Sequence, residues 1–140
     1  MSLVIRSFAV ADQDAVLAVW EEAGITRPWN DPRADIARKL TVQPELFLVG
    51  EHEGQVVATV MAGYDGHRGA VYYLAVRPSA RRLGFARALM HEVERRLEAL
   101  GCPKINLNVR LDNEVAHGFY DRLDYVRDPV VTRSKRLIAD

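Results

Sequence analysis

In the stretch RPSARRLGFARALM, residues 77–90, Arg81, Gly84 and Ala86 fall where an apolar run gives way to helical spacing. Such a junction suits an anion. The first N–H groups of a helix have no partner inside the helix, and the aligned peptide dipoles make that end positive. Gly84 lets the backbone approach a ligand with no Cβ in the way, and Ala86 keeps the neighbouring wall low. Arg81, Arg82 and Arg87 add positive charge beside it. The ligand that this chemistry fits is a pyrophosphate. The same residues fit an ordinary strand–turn–helix connection with solvated arginines equally well. Two better-known phosphate motifs are excluded. A nucleotide-binding loop ending in Gly-Lys-Ser/Thr is absent, and the dinucleotide fingerprint needs three spaced glycines where this stretch has one.

The elements that must position this junction are legible from periodicity. Residues 3–8 read as a first strand, and 12–24 as a helix with Val16, Val19, Trp20 and Ala23 at helical spacing and Gly24 as its stop. Asp31 followed by Pro32 reads as an N-cap with proline at the first helical position; Ile36 and Leu40 then share the buried face of a short second helix. Residues 45–64 read as a hairpin turning at Glu53-Gly54. A turn at 66–69 leads to a third consecutive strand at 70–76, apolar on both faces as a helix-covered strand would be. From Leu83 the apolar positions follow helical spacing to Leu100, and Gly101 closes the helix. Residues 105–109, INLNV, alternate cleanly. A shorter helix at 113–123 carries Ala116 and Tyr120, and 130–138 reads as a last strand.

Composition bounds the function. The chain has 140 residues, 49% of them apolar, which fits one domain with a real core. Its 19 basic and 19 acidic residues cancel, arguing against a nucleic-acid partner. No apolar run approaches the roughly 20 residues of a membrane span. The N-terminal MSLVIRSF lacks the apolar core of a signal peptide, and Cys102 is the one cysteine, so the expected compartment is the cytoplasm. The four histidines show no ligand spacing, and no metal is expected. None of them is placed by sequence beside Cys102, which argues against a nucleophile there.

The motifs together resemble the GCN5-related N-acetyltransferases. That family's acetyl-coenzyme A motif is Gln/Arg-x-x-Gly-x-Gly/Ala after a strand ending Val-x-Pro, matched here by LAVRPSARRLGFARALM. Its second element, Asn-x-x-Ala-x-x-x-Tyr, is matched by NEVAHGFY, with Asn113, Ala116 and Tyr120 in register. The stretches RPWNDP, YDGHRG, GCPKI and KRLI resemble a small bacterial branch of the family. One departure is Leu123-Asp124-Tyr125, where relatives often carry Leu-Gly-Phe/Tyr; aspartate tolerates the left-handed conformation expected there at some cost.

The resemblance implies a single α+β domain over residues 1–140, layered α/β/α. Its mixed, mostly antiparallel sheet would have about six or seven strands, splayed between the fourth and fifth, with about four flanking helices. It implies acetyl-coenzyme A as co-substrate, with the pantetheine arm along Leu74, Ala75 and Val76. The pyrophosphate would lie on the N–H groups of Arg82, Leu83, Gly84, Phe85, Ala86 and Arg87. Asn113 would contact the arm, Asn106 or Asn108 would face the cleft, and Tyr120 would protonate the leaving thiolate. The alternative for Tyr120 is a core aromatic.

Acetyl transfer to an amine also needs a base, and the sequence offers Glu51, Asp65, His67 and Asp31 without choosing among them. Each reads equally as a loop charge. Trp29, Asn30, Tyr64 and Tyr72 are candidates for an acceptor pocket, with ordinary packing and turn chemistry as the alternative. The acceptor is a primary amine of a small molecule, peptide or protein, and a homodimer pairing through the last strand is possible. Two other function classes stay open: a non-catalytic acyl-coenzyme A binding module, disfavoured by Tyr120, and a pure interaction domain, disfavoured by Gly84 and Ala86.

Overall fold

Alternating apolar residues from separate parts of the chain assemble one sheet, which a computed structural model describes over residues 2–140. Its strands are β1 (Val4–Ser7), β2 (Phe47–His52), β3 (Gln55–Tyr64), β4 (Gly69–Val76) and β5 (Ile105–Asn106), in the order β1-β2-β3-β4-β5. The first three pairings are antiparallel, and β4–β5 is parallel. The helices are α1 (Gln13–Glu22), α2 (Pro32–Lys39), α3 (Phe85–Ala99) and α4 (Glu114–Arg122). The chain divides into two compact units, one running to Asn106 and including Asp140, the other Leu107–Ala139.

Local chemistry explains the boundaries. The β2–β3 turn places Glu53 at φ 53° and Gly54 at φ 78°, the two left-handed residues a tight hairpin requires. Asp31 caps α2 by accepting from the Arg33 N–H at 2.9 Å, and Pro32 follows at the first helical position.

Strand alternation then sorts the core. Phe47, Val49 and Met61 pack with Phe8 against Val16, Val19 and Trp20 of α1 and Ile36 of α2. The Phe8 and Phe47 rings stack at 4.6 Å. Leu48, between Phe47 and Val49, belongs to the opposite face, where α3 packs on β2, β3 and β4 through buried Phe85, Leu89, Met90, Val93 and Leu97. Burying each such side chain contributes about 1.5–3 kcal/mol.

Three expectations change. The sheet has five strands rather than six or seven. Residues 130–138 form no strand, and Val130, Val131, Leu137 and Ile138 are exposed. Apolar residues favour a strand only where a partner strand and a packed face receive them, and Arg133, Lys135 and Arg136 interrupt this run. The edge strand expected to pair across a homodimer is therefore missing. Strand β5 ends at Asn106, although Ile105, Leu107 and Val109 stay half-buried while Asn106 and Asn108 are exposed.

Gly69 is the first residue of β4 rather than the end of a turn. A Cβ there would lie 2.9 Å from Leu97 Cδ1, 3.0 Å from Cys102 Sγ and 3.2 Å from Ile105 Cγ1. Gly69→Ala is expected to lower stability by about 1–3 kcal/mol. Thermal unfolding checks this, and an unchanged midpoint would show that the three neighbours yield freely.

Candidate active site

Strand β4 ends at Val76, and the connection to α3 is built from short-range bonds. Pro78–Ala80 make a single 3₁₀ turn, closed by the Ala80 N–H donating to the Arg77 carbonyl at 2.9 Å. The Arg77 N–H donates to Val57 of β3 at 2.8 Å, and its guanidinium pairs with Glu22 of α1 at 3.2 Å. Arg81 Nε reaches back to the Val76 carbonyl at 3.3 Å, so the first arginine of the motif ties the loop to the strand it leaves.

Arg82 (φ 65°) and Gly84 (φ 80°) are both left-handed. Left-handed residues in such a loop gather successive N–H groups into an anion-binding concavity. Helix α3 starts at Phe85, two residues later than periodicity alone places it, with Gly84 as N-cap. No side chain caps this end, and its first turn holds no acid. The first helical bond runs from Ala88 N–H to the Gly84 carbonyl at 3.0 Å, so the helix itself does not use the amides of Phe85, Ala86 and Arg87. A Cβ on Gly84 would meet no protein atom within 4 Å. Backbone conformation, not crowding by its own chain, requires glycine there. Arg81, Arg82 and Arg87 are exposed around the turn. These features fit a pyrophosphate: unspent donors, a positive helix end, cationic side chains and no competing carboxylate.

Strand β4 carries a bulge that the sequence does not show. Opposite Thr59 and Met61 of β3 lie Ala75 and Tyr72, so β4 has one residue more than β3 in this interval. Tyr73 takes φ 55°. A tyrosine in the left-handed region costs about 1–2 kcal/mol and persists only where its surroundings over-determine it. Here the Tyr73 ring stacks on Trp20 at 3.9 Å, and its hydroxyl donates to Asp35 Oδ2 at 2.6 Å and accepts from Asn30 Nδ2 at 2.8 Å. Burial, then the Asp35 bond, push the Tyr73 phenol well above its ordinary value. Bulges bend the strand that carries them. The β4–β5 ladder pairs only Gly69 with Ile105 and Ala70 with Asn106, while β4 runs on to Val76.

In the second unit, Asn113 caps α4, its Oδ1 accepting from the Ala116 N–H at 3.1 Å. That leaves the Asn113 amide nitrogen for other contacts. Tyr120 lies in the last turn of α4, edge-on to Phe119 at 5.0 Å and Tyr125 at 5.5 Å. Burial pushes its phenol up to about 12. Asp124 takes φ 66°, the left-handed position expected of the departure from Leu-Gly. Its N–H donates to Asp121 at 3.1 Å and the Tyr125 N–H to Tyr120 at 3.0 Å, the two bonds of a Schellman cap. Asn108 is exposed, its Oδ1 accepting from Thr132 Oγ1 at 3.1 Å.

The candidate bases do not come together. Glu51 is the next-to-last residue of β2, held by Arg6 at 3.3 Å. Asp65 and His67 share the β3–β4 turn, across the length of β3 from Glu51's partner Val56 and so roughly 25 Å away. Asp65 accepts from the backbone N–H groups of His67 at 2.7 Å and Arg68 at 2.8 Å, which hold its carboxyl below the usual range. Asp31 is spent on the α2 cap. The acceptor candidates also separate. Asn30 is bonded to Asp35 and Tyr73, whereas the Tyr64 hydroxyl donates to Gly66 at 3.2 Å in the β3–β4 turn. Trp29 and Tyr72 are exposed. The Cys102 thiol donates to the Lys104 carbonyl at 3.4 Å and packs beside Gly69. Among the described residues, no group of three His, Cys, Asp or Glu could hold a metal ion, and no helix is long and apolar enough to cross a membrane.

The sequence model of the acetyltransferase (GNAT) family matches residues 14–125, from α1 through the cap of α4. The chain belongs to this acetyltransferase family. An acetyltransferase of Yersinia enterocolitica is 51% identical over 136 residues, which cover 97% of this chain and 96% of that protein. Among solved structures, Ard1 from Thermoplasma volcanium superposes with a TM-score of 0.77 at 25% identity, over 90% of this chain and 84% of that one. An aminoglycoside acetyltransferase from an uncultured soil metagenomic sample gives 0.73 at 27%, over 99% and 100%. The acetyltransferase thus has the GNAT fold, with its sheet one or two strands smaller than the motifs suggested.

Sequence reasoning missed the residues that shape β4 in this acetyltransferase: Tyr73, Thr59, Trp20 and Asp35. The one available signal was Thr59, a hydroxyl inside the apolar run VVATVMAG.

Proposed function

We propose that this acetyltransferase moves an acetyl group from acetyl-coenzyme A directly to a primary amine, both held at once. The observation that carries the proposal is the uncapped start of α3, with Gly84 left-handed and three arginines beside it, inside the matched region. The reading takes residues 1–140 as one catalytic domain, because the matched region continues through both compact units. The lone Cys102 and the balanced charge favour a cytoplasmic setting, and the acceptor is an amine on a small molecule, peptide or protein.

Acetyl-coenzyme A supplies an activated acyl group on sulfur. The amides of Arg82, Leu83, Gly84, Phe85, Ala86 and Arg87 hold its pyrophosphate, and Leu74, Ala75 and Val76 present backbone to the pantetheine arm. Asn113 and Asn108 are the side chains assigned to the pantetheine arm, Asn113 through the amide nitrogen that its cap leaves over. As the amine nitrogen bonds to the carbonyl carbon, the C–S bond breaks and its electron pair leaves on sulfur. Tyr120 donates its proton there. The amine's own proton goes to solvent, from which Tyr120 regains the one it gave, since Asp31, Glu51 and Asp65 are engaged in bonds of their own. His67 is exposed in its turn. Trp29 and Tyr72 are the exposed aromatics offered to the acceptor; Asn30 and Tyr64 serve the framework.

The test is thiol release from acetyl-coenzyme A across a panel of amines and peptides, with cofactor binding measured separately. Binding without turnover on any acceptor would reduce the protein to an acyl-coenzyme A binding module.

The pH profile is a second check. A primary alkylamine has a pKa of about 10, so its neutral fraction and kcat/KM should rise about tenfold per pH unit from 7 to 9. Tyr120 must be protonated to donate. With its phenol raised to about 12, it stays protonated throughout that range. No falling limb is expected below pH 10; one appearing there would remove Tyr120 as the acid.

A further inference from the structure

The β4 bulge is held by a buried polar chain that crosses three elements. Trp20 Nε1 of α1 donates to Thr59 Oγ1 of β3 at 2.9 Å. The same hydroxyl donates to the Tyr73 carbonyl of β4 at 2.8 Å. Trp20 and Thr59 are both 0% exposed. A hydroxyl has one proton to give. Because Trp20 N–H can only donate, Thr59 must accept from it and direct its own proton to Tyr73. The polarity of the chain is therefore fixed.

The consequence falls on the next amide. No peptide bond among the described residues is cis. In a planar trans peptide the C=O and N–H point opposite ways. With the Tyr73 carbonyl drawn toward Thr59 and α1, the Leu74 N–H is turned away from them. This is the stretch of β4 beyond its last paired residue with β5, Ala70. The Tyr73 side chain locks the same peptide from its other end, through Trp20, Asp35 and Asn30.

We propose that Thr59 is a positioning residue for acetyl transfer: by holding the Tyr73 carbonyl, its hydroxyl turns the Leu74 amide outward as the donor that polarises the thioester carbonyl. This rests on the function proposed above. A donor fixed in advance stabilises the negative charge that gathers on the carbonyl oxygen, and costs no reorganisation at the moment of reaction. Thr59→Val keeps the shape but frees the Tyr73–Leu74 peptide to rotate. Thr59→Ser keeps the hydroxyl.

The experiment needs no acceptor. The probe is acetyl-coenzyme A labelled with carbon-13 at the thioester carbonyl, followed by infrared difference spectroscopy, with coenzyme A titrated in parallel. On binding wild type and Thr59→Ser, the carbonyl band is expected to move to lower frequency. On binding Thr59→Val it should return toward its position in buffer, while affinity for coenzyme A stays within about twofold, because the pyrophosphate site is untouched. With any accepted amine, kcat of Thr59→Val should fall about a hundredfold, as for loss of one oxyanion donor, and recover in Thr59→Ser. Thermal unfolding is run on each variant; if valine fails to fold, Thr59→Cys, a weaker donor of similar volume, is expected to lose at least half of the band shift. An equal band shift in wild type and Thr59→Val overturns the proposal, as does no shift in wild-type protein that binds the probe. Failure of wild type to bind acetyl-coenzyme A at all overturns the proposed function instead.

Discussion

Gly84→Glu should weaken acetyl-coenzyme A binding by at least about a hundredfold in a calorimetric titration, through two effects acting together. Gly84 sits at φ 80°, which costs an L-residue about 1–2 kcal/mol, so the loop either strains or rearranges. The new carboxylate also stands at the N-cap, where the helix is positive and no acid is present in the first turn. There it accepts the N–H groups that a pyrophosphate needs and repels the ligand's charge. Gly84→Ala separates the two effects, since it brings the strain without the charge and meets no protein atom within 4 Å. Alanine is expected to bind several-fold more weakly than wild type, and glutamate not measurably. Wild-type affinity in Gly84→Glu would mean that the α3 start does not hold the phosphate.

Tyr120→Phe carries the second large effect. Loss of a proton donor to the leaving sulfur should lower kcat by about 10²–10³, within the range for general acid catalysis, with KM for acetyl-coenzyme A nearly unchanged. The phenylalanine keeps the edge-on ring contacts with Phe119 and Tyr125, so the thermal midpoint should move little. A phenol near 12 is a weaker acid than a thiol near 8.5, so in the free protein full transfer to sulfur is uphill. Tyr120 therefore acts first as a hydrogen-bond donor, and the transfer completes as negative charge collects on the sulfur. If kcat of Tyr120→Phe stays within threefold of wild type while the protein remains folded, Tyr120 is a packing aromatic and the proton comes from water.

The elements were legible wherever a local rule governs them. Asp31-Pro32 opens a helix because a carboxylate and a proline suit those two positions regardless of what lies around them. Glu53-Gly54 turns a hairpin and Asp124 ends α4 for equally local reasons. The α3 start was readable because glycine, arginines and helical periodicity stand within a few residues of each other. The last strand was not, because a strand is completed by a partner from elsewhere, and Val130 and Val131 look the same in sequence whether or not one arrives.

By itself, then, the sequence determined the order of elements through α4, the glycine at the start of α3 and the family of the chain, since these depend on residues near one another or on motifs at fixed spacing. Only the tertiary structure decided that β4 bulges at Tyr73, that Thr59 and Trp20 hold the bulge, that Glu51 pairs with Arg6, and that Asp65 bonds to its own turn. Each of these is a hydrogen bond or pairing whose partner is set by how strands and helices pack, or by how a turn closes. Thr59 and Tyr73 are 14 residues apart along the chain, and Trp20 and Thr59 are 39 apart. No local pattern encodes which buried hydroxyl will meet which carbonyl across such separations.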